Sequence, residues 1–185
     1  MENIRELKKF WSKKRVLITG HTGFKGSWLS IILTYLNSTI DGYSLKPKKN
    51  SLFNKSTIFK KLKSNTYSDI NNLTKLKKKI KDCKPEIIFH LAAQPLVIDS
   101  YKDPIKTLNT NIMGTANLLE SIRNIKSIKS VVIITTDKVY KIKKNNKAYR
   151  ELDQLSGFDP YSASKVGTEI VVESYIKSFF RPKFL

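Results

Sequence analysis

The chain has 185 residues, 40% of them hydrophobic and 10% aromatic, which suits one compact domain or slightly more and is too apolar for a disordered tail. No stretch approaches the ~20 consecutive apolar residues of a membrane helix. The 35 Lys and Arg residues against 15 Asp and Glu leave a formal charge of +20, which points first to a polyanionic partner. The cations, however, are nearly all Lys, scattered among Asn and Ile as in Lys60-Lys61, Lys77-Lys78-Lys79 and Lys143-Lys144, with no run of aromatics to stack bases. A solvated, Lys-rich surface is the simpler reading, and nucleic acid is not expected as a partner. The single cysteine, Cys83, allows no intrachain disulfide, and the N-terminal residues lack the apolar core of a signal peptide. Both point to the cytoplasm.

Residues 1–14 read as an amphipathic lead-in, with Ile4, Leu7, Phe10 and Trp11 at helical spacing. Residues 15–19 form a β-branched run ending on Gly20, and 24–36 carry large apolar residues at helical spacing, giving strand, glycine turn, helix. Further strands are expected at 39–45 and around 66–68, then a basic helix at 73–81 and a buried strand at 86–91. Asp103-Pro104 opens a helix running to about residue 123, with an acidic cap and Pro in the first turn. Residues 131–135 are the clearest strand, five β-branched residues without alternation, the pattern of a strand covered on both faces. Residues 141–146 read as a loop and 161–180 as a helix. Strands alternating with helices in this order predict an α/β fold with a doubly wound parallel sheet of the Rossmann type.

Three motifs carry chemistry. Gly20-His21-Thr22-Gly23-Phe24-Lys25-Gly26 places glycines at G-x-x-G-x-x-G spacing between a strand and a helix. Glycine is needed there because the turn is tight, the backbone must approach a pyrophosphate, and the helix must pack close to its strand. Tyr161 and Lys165 lie four apart on a helix and so share a face. An ammonium held beside a phenol favours the phenolate, a base usable near neutral pH. Thr135-Thr136-Asp137-Lys138 follows the strongest strand, and open parallel sheets bind ligands beyond the carboxyl ends of their strands.

Together the glycine turn, His90-Leu91-Ala92-Ala93-Gln94, Asn111-Ile112-Met113-Gly114-Thr115, Thr135-Thr136-Asp137-Lys138 and Pro160-Tyr161-Ser162-Ala163-Ser164-Lys165 resemble the extended short-chain dehydrogenase/reductase family. The segments from His21 to Leu29 and from Ala92 to Val97, with Asp137-Lys138, are most similar to its CDP-glucose 4,6-dehydratases. Lys after the Asp separates these from the dTDP- and GDP-sugar dehydratases, which carry Glu there. The resemblance implies an NAD-dependent hydro-lyase. Tyr161, with Lys165, would take the proton of the sugar 4-hydroxyl as hydride leaves C4, and Thr136 would hold the 4-oxygen. Lys138 would remove the acidified C5 proton, Asp137 would protonate the departing 6-hydroxyl, and hydride would return to C6. Gly20, Thr22, Gly23, Phe24, Lys25, Gly26, Leu91, Ala92 and Ala93 would line the cofactor together with Tyr161 and Lys165, while Asp69-Ile70 would contact adenine. Gln94 and Asn111 would touch the sugar nucleotide. The implied partners are CDP-glucose and, for the full-length family member, a second copy in a homodimer; no metal is implied.

The chain departs from the family pattern in places. After the second strand stands Ser44-Leu45-Lys46-Pro47, without an acid for the ribose hydroxyls, and Asp41 falls within the strand. A Lys there suits a 2′-phosphate, which keeps NADP open beside NAD. The loop after Tyr140 is rich in Lys and Asn rather than aromatics, and Ile98-Asp99 stand before Ser100-Tyr101 where basic residues are usual. Family members continue for about another domain's length, with the lobe that grips the nucleotide. The expectation is thus a lead-in at 1–14 and a dinucleotide domain at 15–185 that is incomplete at its C-terminal end, an N-terminal fragment without the substrate lobe. The alternatives are a nucleotide-sugar epimerase, which needs the Tyr–Lys pair but no acid and base for water loss, and a non-catalytic basic binding module on the same fold.

Overall fold

The computed structural model describes residues 2–143 and 148–180. The chain divides into two compact units, Met1–Ala92 with Asn124–Ile134, and Ala93–Arg123 with Thr135–Leu185. The first unit holds α1 (Glu2–Trp11), β1 (Arg15–Thr19), α2 (Phe24–Tyr35), β2 (Thr39–Ser44), a one-turn α3 (Leu52–Lys55), β3 (Ser64–Tyr67), α4 (Leu73–Cys83), β4 (Ile87–His90) and β5 (Ser130–Ile133). All five strands are parallel and ordered β3-β2-β1-β4-β5, so the order reverses at β1, as expected for a Rossmann-type sheet.

Burial explains the continuous apolar character of the central strands. In β1, Val16, Leu17 and Ile18 are all buried, because both faces are covered. Val16 and Ile18 join Leu33 of α2, Ile40, Phe53, Ile58 and Ile87 in one cluster. Asp41, in register with Leu17, is met by Lys79 of α4 at 2.7 Å. The strand expected on both faces, β5, behaves differently. It pairs only with β4, its residues alternate between half-buried and exposed, and Val132 keeps 38% of its surface. An unalternated run reports a strand's capacity to be covered, and β5 is an edge strand of this sheet.

The second unit holds α5 (Val97–Lys102), α6 (Pro104–Leu108), a π-helical turn (Asn109–Met113), α7 (Gly114–Ile122), a 3₁₀ turn (Asp137–Val139), α8 (Pro160–Tyr175) and a second π turn (Ile176–Phe180). Helix α8 packs on α6 and α7. The cap at Asp103 is as expected, its side chain accepting from the Lys106 amide. The expected loop at 141–146 is non-helical and non-strand through Lys143; residues 144–146 lie outside the described residues. Among the described residues no helix is long and apolar enough to cross a membrane.

Candidate functional site

In the first unit the glycine turn is tight and closely packed against its neighbours. Gly20 has φ +75°, and a Cβ there would stand 2.6 Å from the Ala92 nitrogen and 2.7 Å from the Leu91 carbonyl carbon. The turn is therefore pressed against the chain leaving β4, where the Ala92 amide donates to Thr19 Oγ1 at 3.3 Å. A Cβ on Gly26 would lie 2.2 Å from the Gly20 carbonyl oxygen, so α2 starts in direct backbone contact with the turn. Gly23 caps α2 without a side chain, no acid stands in the first turn, and Phe24 and Lys25 are exposed. Uncovered helix-start amides and the positive end of the helix dipole fit a phosphate.

Thr22 ties this turn to the end of β2: its Oγ1 lies 2.8 Å from Ser44 Oγ and donates to the Leu45 carbonyl at 3.0 Å. The one carboxylate of β2 is engaged elsewhere, since Asp41 is buried and bonded to both Lys79 and Ser64. Asp69 is exposed beyond β3, its carboxylate accepting from the Asn71 amide and its carbonyl accepting from Tyr43 Oη at 3.0 Å, while Ile70 is buried. Leu91 and Ala92 are half-buried beside Gly20. An apolar groove of about 360 Å³ runs along this unit, lined by Phe24, Lys25, Trp28, Phe89, Leu91 and Val132 among others.

In the second unit Ala93 and Gln94 begin a loop held by Asn111. The Asn111 side chain accepts from the Gln94 amide at 2.8 Å and donates to the Gln94 carbonyl at 3.1 Å and to Ser164 Oγ at 2.8 Å. Asn111 sits in the π turn, where the extra residue frees its own carbonyl to accept from Thr115 Oγ1 and Thr168 Oγ1. Gln94 is likewise engaged, donating to the Leu96 carbonyl and to Thr107 Oγ1 and accepting from the Leu96 amide. Both residues expected to touch substrate thus have their amides committed to a clasp that fixes the loop to α8.

Thr136 caps the 3₁₀ turn, its Oγ1 accepting from the Lys138 amide and donating to Asp137 Oδ1 at 3.2 Å; Asp137 and Lys138 are exposed. This turn packs against α8. At the head of α8, Asp159 accepts from the Ser162 amide at 3.0 Å and Ser162 Oγ at 2.6 Å. Burial alone would raise the Asp159 carboxyl, but these bonds, the Tyr161 amide and the nearby charge of Lys138 outweigh it and hold it below the ordinary carboxylate range. Tyr161 is half-buried, and Lys165, one turn on, is buried. Gly157 lets the preceding loop lie on the helix, because a Cβ there would meet Ala163 Cα at 2.3 Å. The sequence reading missed Asp159 as the cap, although Asp before Pro and the helix is a readable signal. Among the described residues no His, Cys, Asp and Glu side chains group as a metal site.

Comparison with known proteins agrees with this geometry. The GDP-mannose 4,6 dehydratase family matches residues 17–182. The chain is 47% identical over 176 residues to CDP-glucose 4,6-dehydratase of Salmonella typhimurium, covering 95% of this chain and 49% of that protein. Among solved structures it is similar to Pal from Bacillus thuringiensis (30% identity, TM-score 0.78, 89% of this chain and 52% of the other). A UDP-glucuronic acid 4-epimerase from Bacillus cereus, solved in complex with UDP-glucuronic acid and NAD, aligns at 29% identity and TM-score 0.76 over 90% of this chain and 54% of its own. The chain spans about half the length of these relatives. With the turn, the sheet order and the family match in agreement, the chain belongs to the GDP-mannose 4,6 dehydratase family.

Proposed function

We propose that this chain carries the oxidation and dehydration machinery of a cytoplasmic nucleotide-sugar 4,6-dehydratase, a hydro-lyase converting CDP-glucose to CDP-4-dehydro-6-deoxyglucose and water. The observation that carries the reading is the packing, within one unit, of Thr136-Asp137-Lys138 against the head of α8, which bears Tyr161 and Lys165. The 47% identity to a CDP-glucose 4,6-dehydratase supports the choice of sugar nucleotide. The glycine turn, whose bare start of α2 suits a pyrophosphate, supports a nicotinamide dinucleotide as cofactor, and one similar structure holds NAD. When bound, that group supplies a hydride acceptor for C4 and a hydride donor for C6.

The chain's own residues move the protons. Tyr161 accepts the 4-hydroxyl proton, with the Lys165 ammonium one turn away favouring the anion it must form. Thr136 donates a hydrogen bond to the 4-oxygen, and the carbonyl formed there acidifies C5–H. Lys138 takes the C5 proton and Asp137 gives a proton to the 6-hydroxyl, which leaves as water. Asn111 is a positioning residue that holds the Gln94 loop and α8 in register. Residues 15–185 form the dinucleotide-binding part of the enzyme, which works as a homodimer. An epimerase would need Tyr161 and Lys165 but has no use for an acid and a base side by side, and Asp137-Lys138 favours dehydration.

The test is incubation with CDP-glucose and the dinucleotide in D2O. The account expects a 4-keto-6-deoxy product with deuterium at C5, because that carbon is deprotonated and reprotonated. A 4-epimer, or unchanged substrate, contradicts it.

A further inference from the structure

We infer that α1 is an interfacial anchor, laying its apolar stripe on the surface of an anionic lipid bilayer while the basic end of the first unit meets the headgroups. Ile4, Leu7 and Phe10 follow one another at i, i+3 and i+6 and form one stripe along the helix, keeping 48%, 48% and 56% of their surface. Other residues hold the helix to its unit. Trp11 packs against the core cluster with its ring 6.1 Å from that of Phe89, and its carbonyl accepts from Ser38 Oγ at 2.9 Å. The Lys8 ammonium stands 4.3 Å from the centre of the Tyr35 ring. None of these contacts uses the stripe.

Charge identifies the occupant. Residues 1–14 carry Arg5, Lys8, Lys9, Lys13 and Lys14 against Glu2 and Glu6. The Lys14 ammonium lies 5.5 Å from the Phe10 ring centre, at the end of the stripe, and the turn there is fixed by the Lys13 amide bonding to the Asn37 carbonyl at 2.9 Å. Beside this turn stand the first residues of the strands. Arg15 opens β1, its Nε donating to the Lys84 carbonyl at 2.8 Å, and Lys129 precedes β5, its amide donating to the Glu86 carbonyl. The Glu86 carboxylate is itself held by Arg15 at 3.5 Å and Lys129 at 3.7 Å. Because the sheet is parallel, this cationic end lies opposite the strand ends that carry the glycine turn, which a chain resting on α1 keeps at the far end of the sheet. A helix with large aliphatic and aromatic residues on one side and lysines on the other settles in the headgroup region of anionic bilayers. A second copy is a poorer fit, because the stripe of a ten-residue helix falls far short of the roughly 800 Å² per partner that a stable interface buries, and two cationic ends repel. Nucleic acid would meet the cations but gives the stripe nothing to bury against.

The experiment is co-sedimentation of the 185-residue chain with vesicles of phosphatidylcholine alone and with vesicles containing about one-third phosphatidylglycerol, at low and at raised salt. Pelleting is expected with the anionic vesicles only, and it should weaken as salt rises. Leu7→Gln and Phe10→Gln, which keep every charge, should each weaken binding by about tenfold, and Lys9→Gln with Lys14→Gln by a similar factor. Phe10 also meets the Trp11 ring edge-on at 5.1 Å, so Leu7→Gln is the variant that tests the stripe apart from the attachment. No pelleting with anionic vesicles overturns the inference, as does equal pelleting with phosphatidylcholine alone. Binding that Leu7→Gln and Phe10→Gln leave unchanged would reduce it to the general attraction of a +20 chain for polyanions, and overturns it too. A dimer in sedimentation velocity that Leu7→Gln dissociates would assign the stripe to a second copy and overturn it likewise.

Discussion

Gly26 has no room for a side chain. Its absent side chain is occupied by backbone, the Gly20 carbonyl oxygen at 2.2 Å and His21 Cα at 2.7 Å, and neither can rotate away. Gly26→Ala should therefore cost about 1–3 kcal/mol in denaturant unfolding, as overpacked sites do. Gly23→Ala, whose nearest neighbour stands 3.3 Å away and which caps α2 at φ −73°, should cost under about 1 kcal/mol. Between these glycines His21 turns inward, fully buried, with its ring edge-on to Phe53 and stacked on Tyr67, and with Nε2 donating to Asn65 Oδ1 at 3.2 Å. Burial pushes its pKa down to about 4, the Lys79 charge adding to this against the pull of the Asn65 bond. Because the folded value lies below the unfolded one, the unfolded chain binds the proton first as the pH falls. The stability from keeping His21 neutral is present above about pH 6.5 and is lost toward pH 4, up to about 3 kcal/mol. Denaturation curves at neutral pH and near pH 4.5 should show this extra fall in the native chain and lack it in His21→Gln. An equal fall in both would remove His21 as the cause.

At the scale of elements, α4 is fastened to the sheet by more than its apolar stripe of Leu76, Ile80 and Cys83. Lys79 and Asp41 form a pair whose side chains keep 10% and 5% of their surface. Asp41→Asn, which leaves a buried ammonium without its counter-charge, should cost about 3–5 kcal/mol, and Asp41→Leu with Lys79→Met markedly less, because the double change removes both desolvated charges. Unfolding of the single and double variants in urea checks this; a double variant as unstable as the single would contradict it. The strands, α2 and α8 were legible because each announces itself by an apolar run, a glycine turn or a cap. The π turn was not, since nothing in apolar spacing reports a one-residue change of hydrogen-bond register, and it is this turn that aims Asn111 at Gln94 and Ser164. Nor does the sequence show that the side chains of Asn111 and Gln94, read as substrate contacts, also bond to neighbouring elements. Helix α5, six residues starting from an uncapped Leu96, is too short for periodicity to register. The edge position of β5 also escaped, because composition states what a strand can bury and not what covers it.

For the whole molecule, the +20 charge follows from lysines that mostly face water. Among the described residues Lys79 meets a carboxylate in the interior, whereas Lys102 and Lys177 meet theirs on exposed helix faces. Exposed pairs of that kind contribute about 0–1 kcal/mol each, so the charge bears on solubility and on the attraction of anions rather than on the fold. The glycine turn belongs to the first unit, and Thr136, Asp137, Lys138 and Tyr161, to which the proposal gives the proton transfers, belong to the second. If these groups perform sequential oxidation and dehydration, the two steps can be uncoupled by substitution. The decisive measurement is the near-ultraviolet absorbance of reduced nicotinamide during reaction with CDP-glucose. Asp137→Asn should accumulate the reduced form, since oxidation at C4 proceeds while water loss slows by about 10²–10⁴-fold, and Tyr161→Phe should show none. Full turnover by Tyr161→Phe, or absence of any reduced form in Asp137→Asn, would contradict the assignment of base and acid.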